Sequence, residues 1–153
     1  MKVLFVCTGN SCRSPIAAAL LKKMAQEQGL DIETKSCGTA ALLGMEATKE
    51  AIEVLKREDI RIFDHRSKPL TEELIDWADL ILVMEERHRR SLLQYQPQAN
   101  EKVFLLTEFA GSGKQDIIDP IAKPLEVYEG LSIDLKFYLI KVIERIENEN
   151  ISG

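Results

Sequence analysis

No apolar run in this 153-residue chain approaches the roughly 18 residues that cross a bilayer. The longest candidate near the start, Val3-Leu4-Phe5-Val6-Cys7, is too short for a secretory h-region, and Gly9, Asn10 and Arg13 follow at once. Neither a membrane partner nor a leader is expected. Cysteine is scarce and odd in number, three in all, with Cys7 and Cys12 only five apart. A small secreted scaffold uses more cysteines, in even number, so reduced thiols in a cytoplasmic setting are the expectation. There is no CxxC pair, and the two histidines, His65 and His88, stand alone. That argues against zinc, and no metal or cofactor is expected. A basic excess is also missing: 20 Lys+Arg face 25 Asp+Glu, a net charge of −5. General nucleic-acid binding is therefore not expected. Internal repeats, low-complexity tracts and linkers are absent too, so residues 1–153 read as one domain.

What the chain does have is an ordinary globular composition, 45% hydrophobic and 29% charged, arranged in an alternating pattern. Lys2–Val6, apolar from Val3 on, and Leu80–Met84, apolar throughout, are runs of the kind buried on both faces of a sheet. Residues 32–37 and 102–106 read as two further strands. Between them lie helical periods: one from Ser14-Pro15, with Ser14 as cap and Pro15 at the first helical position, ending near Gly29. Others cover 47–57, a segment capped by Thr71, 87–95, and one long amphipathic helix carrying Leu125, Tyr128, Leu131, Leu135, Leu139, Val142 and Ile146. Residues 107–123 read as irregular. The expected fold is α/β: a small doubly wound sheet of four parallel strands, with five helices over both faces. Ligands in such sheets sit beyond the carboxyl ends of the strands.

The loop after the first strand, Cys7-Thr8-Gly9-Asn10-Ser11-Cys12-Arg13, occupies that place. Backbone N–H groups converging between a strand and a helix form a nest for a tetrahedral anion. Arg13 adds a planar donor fork that matches two phosphate oxygens. The same amides, dipole and guanidinium favour thiolate at Cys7, a nucleophile aimed at phosphorus. Each residue alone has a plainer reading: Cys7 as a core hydrophobe, Arg13 as a solvated charge. Their combination at a strand-to-helix turn is what points to phosphoryl chemistry. Asp119-Pro120 could supply a proton to the leaving group, although from the residues alone it is equally a turn. Cys12 is placed to trap an oxidised Cys7 as a disulfide. Gly111-Ser112-Gly113-Lys114 lacks the first glycine and final hydroxyl of a nucleotide loop. Arg87-His88-Arg89-Arg90 reads as a solvated basic face.

Val6-Cys7-Thr8-Gly9-Asn10-Ser11-Cys12-Arg13-Ser14-Pro15 resembles the signature loop of the low-molecular-weight protein tyrosine phosphatases. The resemblance extends to the length, the element order, Ser36-Cys37-Gly38-Thr39 and Asp119-Pro120. It implies a phosphatase acting on phosphorylated proteins through a cysteinyl-phosphate. Cys7 would be the nucleophile, Arg13 the phosphate clamp and Asp119 the general acid. Thr8, Gly9, Asn10, Ser11, Cys12 and Ser14 would surround the phosphate, with Ser14 bonding the thiolate. Asn10, Ser36 and His65 would hold the loop in shape.

The family resembled includes phosphotyrosine enzymes and a bacterial branch that acts on phosphoarginine. Tyrosine-directed members usually carry a bulky aliphatic residue at the position of Ser11, and often two tyrosines after Asp-Pro. This chain has Ile121 and Ala122 there. The arginine branch typically has threonine where Ser11 stands, so the substrate stays open with a lean toward phosphoarginine. Two other readings compete. An arsenate reductase would need further cysteines than Cys37 to pass a disulfide onward, and a flavodoxin-like binding module would have no use for Cys7 or Arg13.

Overall fold

The computed structural model describes residues 1–152. Four strands, β1 (Lys2–Cys7), β2 (Glu33–Gly38), β3 (Leu80–Val83) and β4 (Val103–Leu105), run parallel in the order β2-β1-β3-β4. The helices are α1 (Arg13–Glu27), α2 (Lys49–Lys56), α3 (Glu72–Trp77), α4 (Glu86–Tyr95), α5 (Leu106–Phe109) and α6 (Leu125–Ser152). This is the doubly wound α/β sheet that the alternation of periods implies. Its strand order reverses between β1 and β3, which opens a crevice at their carboxyl ends.

The strand alternation sorts the core into two layers. Val3, Phe5 and Cys7 of β1 pack with Ile16, Leu55, Leu135 and Leu139, beneath α1, α2 and α6. Leu4 and Val6 face the other way, toward Ile75 of α3 and Leu92 of α4. Each fully buried aliphatic side chain here contributes about 1.5–3 kcal/mol. The same sorting separates the thiols. Cys7 and Cys12 lie in the first layer and Cys37 in the second, so the sheet stands between Cys37 and the loop cysteines.

Several boundaries differ from the sequence expectation. Helix α1 begins at Arg13 with Cys12 as its cap residue and no side-chain cap bond, so Ser14 is not the N-cap. The Ser14 hydroxyl is turned instead toward Cys7 and Asn10. Pro15 still falls in the first turn, where its missing N–H costs nothing. Among the described residues the helix count rises from five to six because Leu106–Phe109, expected as strand end and irregular chain, closes a single helical turn. Its Thr107 hydroxyl donates to the Gln115 carbonyl and accepts from the Gln115 N–H, which ties down the segment behind it. A 3-10 segment at Pro97–Lys102 was also not legible. The Thr71 cap is present as expected, its hydroxyl accepting from Leu74 N–H.

Candidate active site

The loop at residues 8–12 leaves β1 at the switch point and turns sharply into α1. Asn10 sits in the left-handed region at φ 54°, where asparagine is better tolerated than most residues. Its side chain is fully used. Asn10 Nδ2 donates to Ser14 Oγ at 2.8 Å and to Ser36 Oγ at 2.9 Å, while Oδ1 accepts from the Lys68 N–H at 3.1 Å. The Asn10 carbonyl accepts from His65 Nε2 at 2.8 Å. Asn10, Ser36 and His65 are thus brought together behind the loop. Gly38 closes the arrangement: a Cβ there would stand 2.3 Å from the Thr8 carbonyl, so only glycine lets β2 approach.

Cys7 is 1% exposed, and its Sγ lies 2.9 Å from Ser14 Oγ. Because Asn10 donates to Ser14 Oγ, the serine proton is free to point at sulfur, with the Cys37 carbonyl a weaker alternative at 3.3 Å. Such a donor stabilises a thiolate. Cys12 is buried as well, and its S–H donates to Asp119 Oδ1 at 3.8 Å. Burial first, then the nearby Cys7 and Asp119, pushes the Cys12 thiol up to about 11. It is held as a protonated donor at neutral pH.

Arg13 is also 1% exposed, and its guanidinium is divided between two tasks. Nη1 donates to Glu85 at 2.6 Å and to the Ile117 carbonyl at 2.7 Å. Nη2 stands 3.5 Å from Asp119 Oδ2, and Nε is buried with no partner. A buried charge-bearing donor left unpaired is costly unless an anion meets it. Asp119 is therefore placed beside the loop, whereas Asp116 is not: its carboxylate accepts from the Glu86 N–H at 2.9 Å, at the start of α4.

Two residues of this site were missed in the sequence. Glu85, two residues past the end of β3, pairs with Arg13, Arg87 and His88. Burial alone would raise its carboxyl, but hydrogen bonds from Arg87 and Arg13 outweigh that and hold it at about 2. His88, expected on a solvated face, is buried. Its Nδ1 accepts from Glu85 N–H at 3.1 Å, so Nε2 carries the proton and donates to Thr8 Oγ1 at 2.8 Å. The available signal was position, since Glu85 follows a strand at the same carboxyl edge as Cys7.

Burial, reinforced by Arg13, lowers the His88 imidazole to about 4. An unfolded histidine titrates near 6.5, so the unfolded chain takes up this proton first. The stability held in neutral His88 is therefore present above about 6.5 and is lost as pH falls toward 4. Thermal melts should show a falling midpoint across that window. His88→Asn keeps an acceptor for Glu85 N–H but has no proton to gain, and it should flatten the slope. An unchanged slope would remove His88 as its origin.

Comparison with known proteins places this geometry. The family model described as low molecular weight phosphotyrosine protein phosphatase matches residues 2–151. A protein-arginine-phosphatase of Geobacillus stearothermophilus is 40% identical over 97% of this chain and 97% of its own. A low molecular weight protein tyrosine phosphatase from T. tengcongensis superposes with a TM-score of 0.92 at 45% identity, covering 95% of this chain and 99% of that one. A cysteine-to-serine mutant of an arginine phosphatase, solved with its active-site serine phosphorylated, superposes with a TM-score of 0.93 at 35% identity, covering 96% of each chain. The chain belongs to the low molecular weight phosphotyrosine protein phosphatase family and is a cysteine-dependent protein phosphatase.

Proposed function

We propose that this phosphatase acts on phosphoarginine in proteins, with Cys7 as nucleophile, Arg13 as clamp and Asp119 as proton donor. The observation that carries the site assignment is the buried Arg13 Nε without a partner, over a loop whose base is Cys7. Thr8, Gly9, Asn10, Ser11, Cys12 and Ser14 supply the surrounding amides and hydroxyls. In the first step Cys7 sulfur bonds phosphorus as the P–N bond breaks, and Asp119 gives its proton to the departing guanidine nitrogen. In the second, the Asp119 carboxylate takes a proton from water as the water oxygen bonds phosphorus. The P–S bond then breaks, releasing phosphate and restoring the thiolate.

Asp119→Ala should therefore cost more as the leaving group becomes more basic. An activated aryl phosphate needs little protonation and phosphoarginine needs much. Rates across a leaving-group series check this, and an equal loss at every member would count against Asp119 as the acid. The pairing of Asp119 with Arg13 and Cys12 holds the carboxyl beside the loop.

Ser11 supports the choice of substrate. It is half-buried, between nucleophile and clamp, and its carbonyl accepts from Thr48 N–H at 2.9 Å. A small hydroxyl leaves room for a planar polar guanidine and can bond it; an isoleucine would offer an apolar wall to an aromatic ring. Ser11→Ile should shift relative kcat/KM from phosphoarginine toward phosphotyrosine by roughly 5–150-fold. Ser11→Thr should preserve phosphoarginine turnover. Both substrates assayed with all three proteins decide it, and unchanged ratios would remove Ser11 as the selector. The second reading, phosphotyrosine, is favoured by the exposed Ile118 and Ile121 flanking Asp119-Pro120, which could grip a ring.

A further inference from the structure

A second concavity of about 690 Å³ lies behind the phosphate loop, and none of Cys7, Arg13 or Asp119 lines it. Its walls are the outer face of α1, the edge strand β2 and the connection at residues 59–68. Five cationic side chains, Lys22, Lys23, Arg61, Arg66 and Lys68, line it against two carboxylates, Asp59 and Asp64, an excess of three positive charges, while the Lys35 ammonium lies over the Trp77 ring 4.5 Å from its centroid. The protein as a whole carries a net charge of −5, so this cleft runs against the general field.

Internal pairing meets only part of this charge: the Arg66 guanidinium stands 3.8 Å from the Glu46 carboxylate. Lys23 donates to the Glu58 carbonyl, and Arg66 to the carbonyls of Phe63 and His65. The Lys22, Arg61 and Lys68 side chains have no hydrogen-bond or ion-pair partner among the described residues. Holding like charges in one cleft is unfavourable by itself, and a multivalent anion converts that repulsion into binding. Apolar surface from Ala18, Ala19, Ile60 and Ile62 lowers the local dielectric and strengthens such contacts. The cleft reaches His65 and Ser36, the residues that hold Asn10. Burial pushes the His65 imidazole below its ordinary value; the Asn10 carbonyl and Asp64 oppose this, and Lys68 and Arg66 add to it.

We propose that this cleft is a second anion site that takes a compact oligophosphate, separate from the phosphate loop. The volume falls in the range of small-ligand pockets and the charge suits an ion carrying several negative charges. Sodium triphosphate is the direct probe, with ATP and adenosine as companion arms that separate inorganic from nucleotide sources. The phosphate loop is first saturated with tungstate, so that any remaining binding reports the cleft. Calorimetry should show one further equivalent of triphosphate bound. The His65 ring signals should move in NMR, with its titration displaced upward because a bound anion favours imidazolium.

The paired variant Lys22→Glu with Arg61→Glu should weaken triphosphate at least tenfold while turnover of p-nitrophenyl phosphate stays unchanged, which also shows that it is folded. ATP binding at comparable strength would assign the phosphates as the recognised group. No binding to the tungstate-filled enzyme overturns the proposal. So does equal affinity in the variant, or binding of adenosine with triphosphate inert. The substrate preference of the phosphatase has no bearing on any of these outcomes.

Discussion

Cys7→Ser is expected to lose at least about 10⁴-fold in turnover while still binding phosphate or tungstate within a few-fold of the parent protein. The two halves of that result have different physical origins. Turnover needs a strong nucleophile for phosphorus, and a serine hydroxyl is far weaker than a cysteine sulfur even with the loop amides and Arg13 beside it. Binding rests on those amides and on Arg13, whose place is set by Glu85 and the Ile117 carbonyl rather than by sulfur. Serine is smaller than cysteine, so the buried position accepts it without displacing Ser14 or Asn10. The measurement is paired: initial rates with an aryl phosphate, and tungstate affinity by calorimetry on the same preparation. Residual turnover within tenfold would remove Cys7 as nucleophile. Loss of tungstate binding alongside turnover would show instead that the thiol shapes the nest.

Much of this site could be read without coordinates because its chemistry is local. Cys7, the loop amides and Arg13 lie within seven consecutive residues, so a strand pattern on one side and a helix pattern on the other locate them. The fold was legible for a similar reason: β3 is apolar throughout, β1 is apolar after Lys2, and α6 keeps one period over most of its length. What failed was whatever depended on distant pairing. Ser14 looks like a helix cap, but its hydroxyl is claimed by Cys7 and Asn10. His88 sits in a basic run and reads as solvated, yet Thr8, eighty residues away, supplies its partner. Glu85 carries no motif, and its role follows only from β3 lying beside β1 in register. Leu106–Phe109 is one turn long, and no periodicity can accumulate over four residues.

Arg13→Lys should cost about 10²–10⁴-fold in kcat/KM although it keeps the charge. The guanidinium does two jobs at once. Nη1 is anchored by Glu85 at 2.6 Å and by the Ile117 carbonyl at 2.7 Å, which leaves Nε without a partner and Nη2 3.5 Å from the loop hydroxyl of Thr8. An ammonium has one nitrogen. It can stay with Glu85, whose carboxylate is held at about 2 and so remains charged, or it can leave to meet phosphate. Either choice forfeits contacts that arginine makes together. Leaving also strands Glu85, which Arg87 alone would then have to neutralise. Two charge-assisted hydrogen bonds at about 1.5–3 kcal/mol each give the range stated. Because the contacts strengthen as charge spreads over the transferring phosphoryl group, kcat should fall along with tungstate affinity. Glu85→Gln separates anchorage from clamping: it keeps a neutral acceptor for Nη1, so it should lose less than Arg13→Lys and bind tungstate more weakly than the parent. Arg13→Lys kinetics within tenfold of the parent would show that a point charge suffices, and the two-job reading of Arg13 would fall.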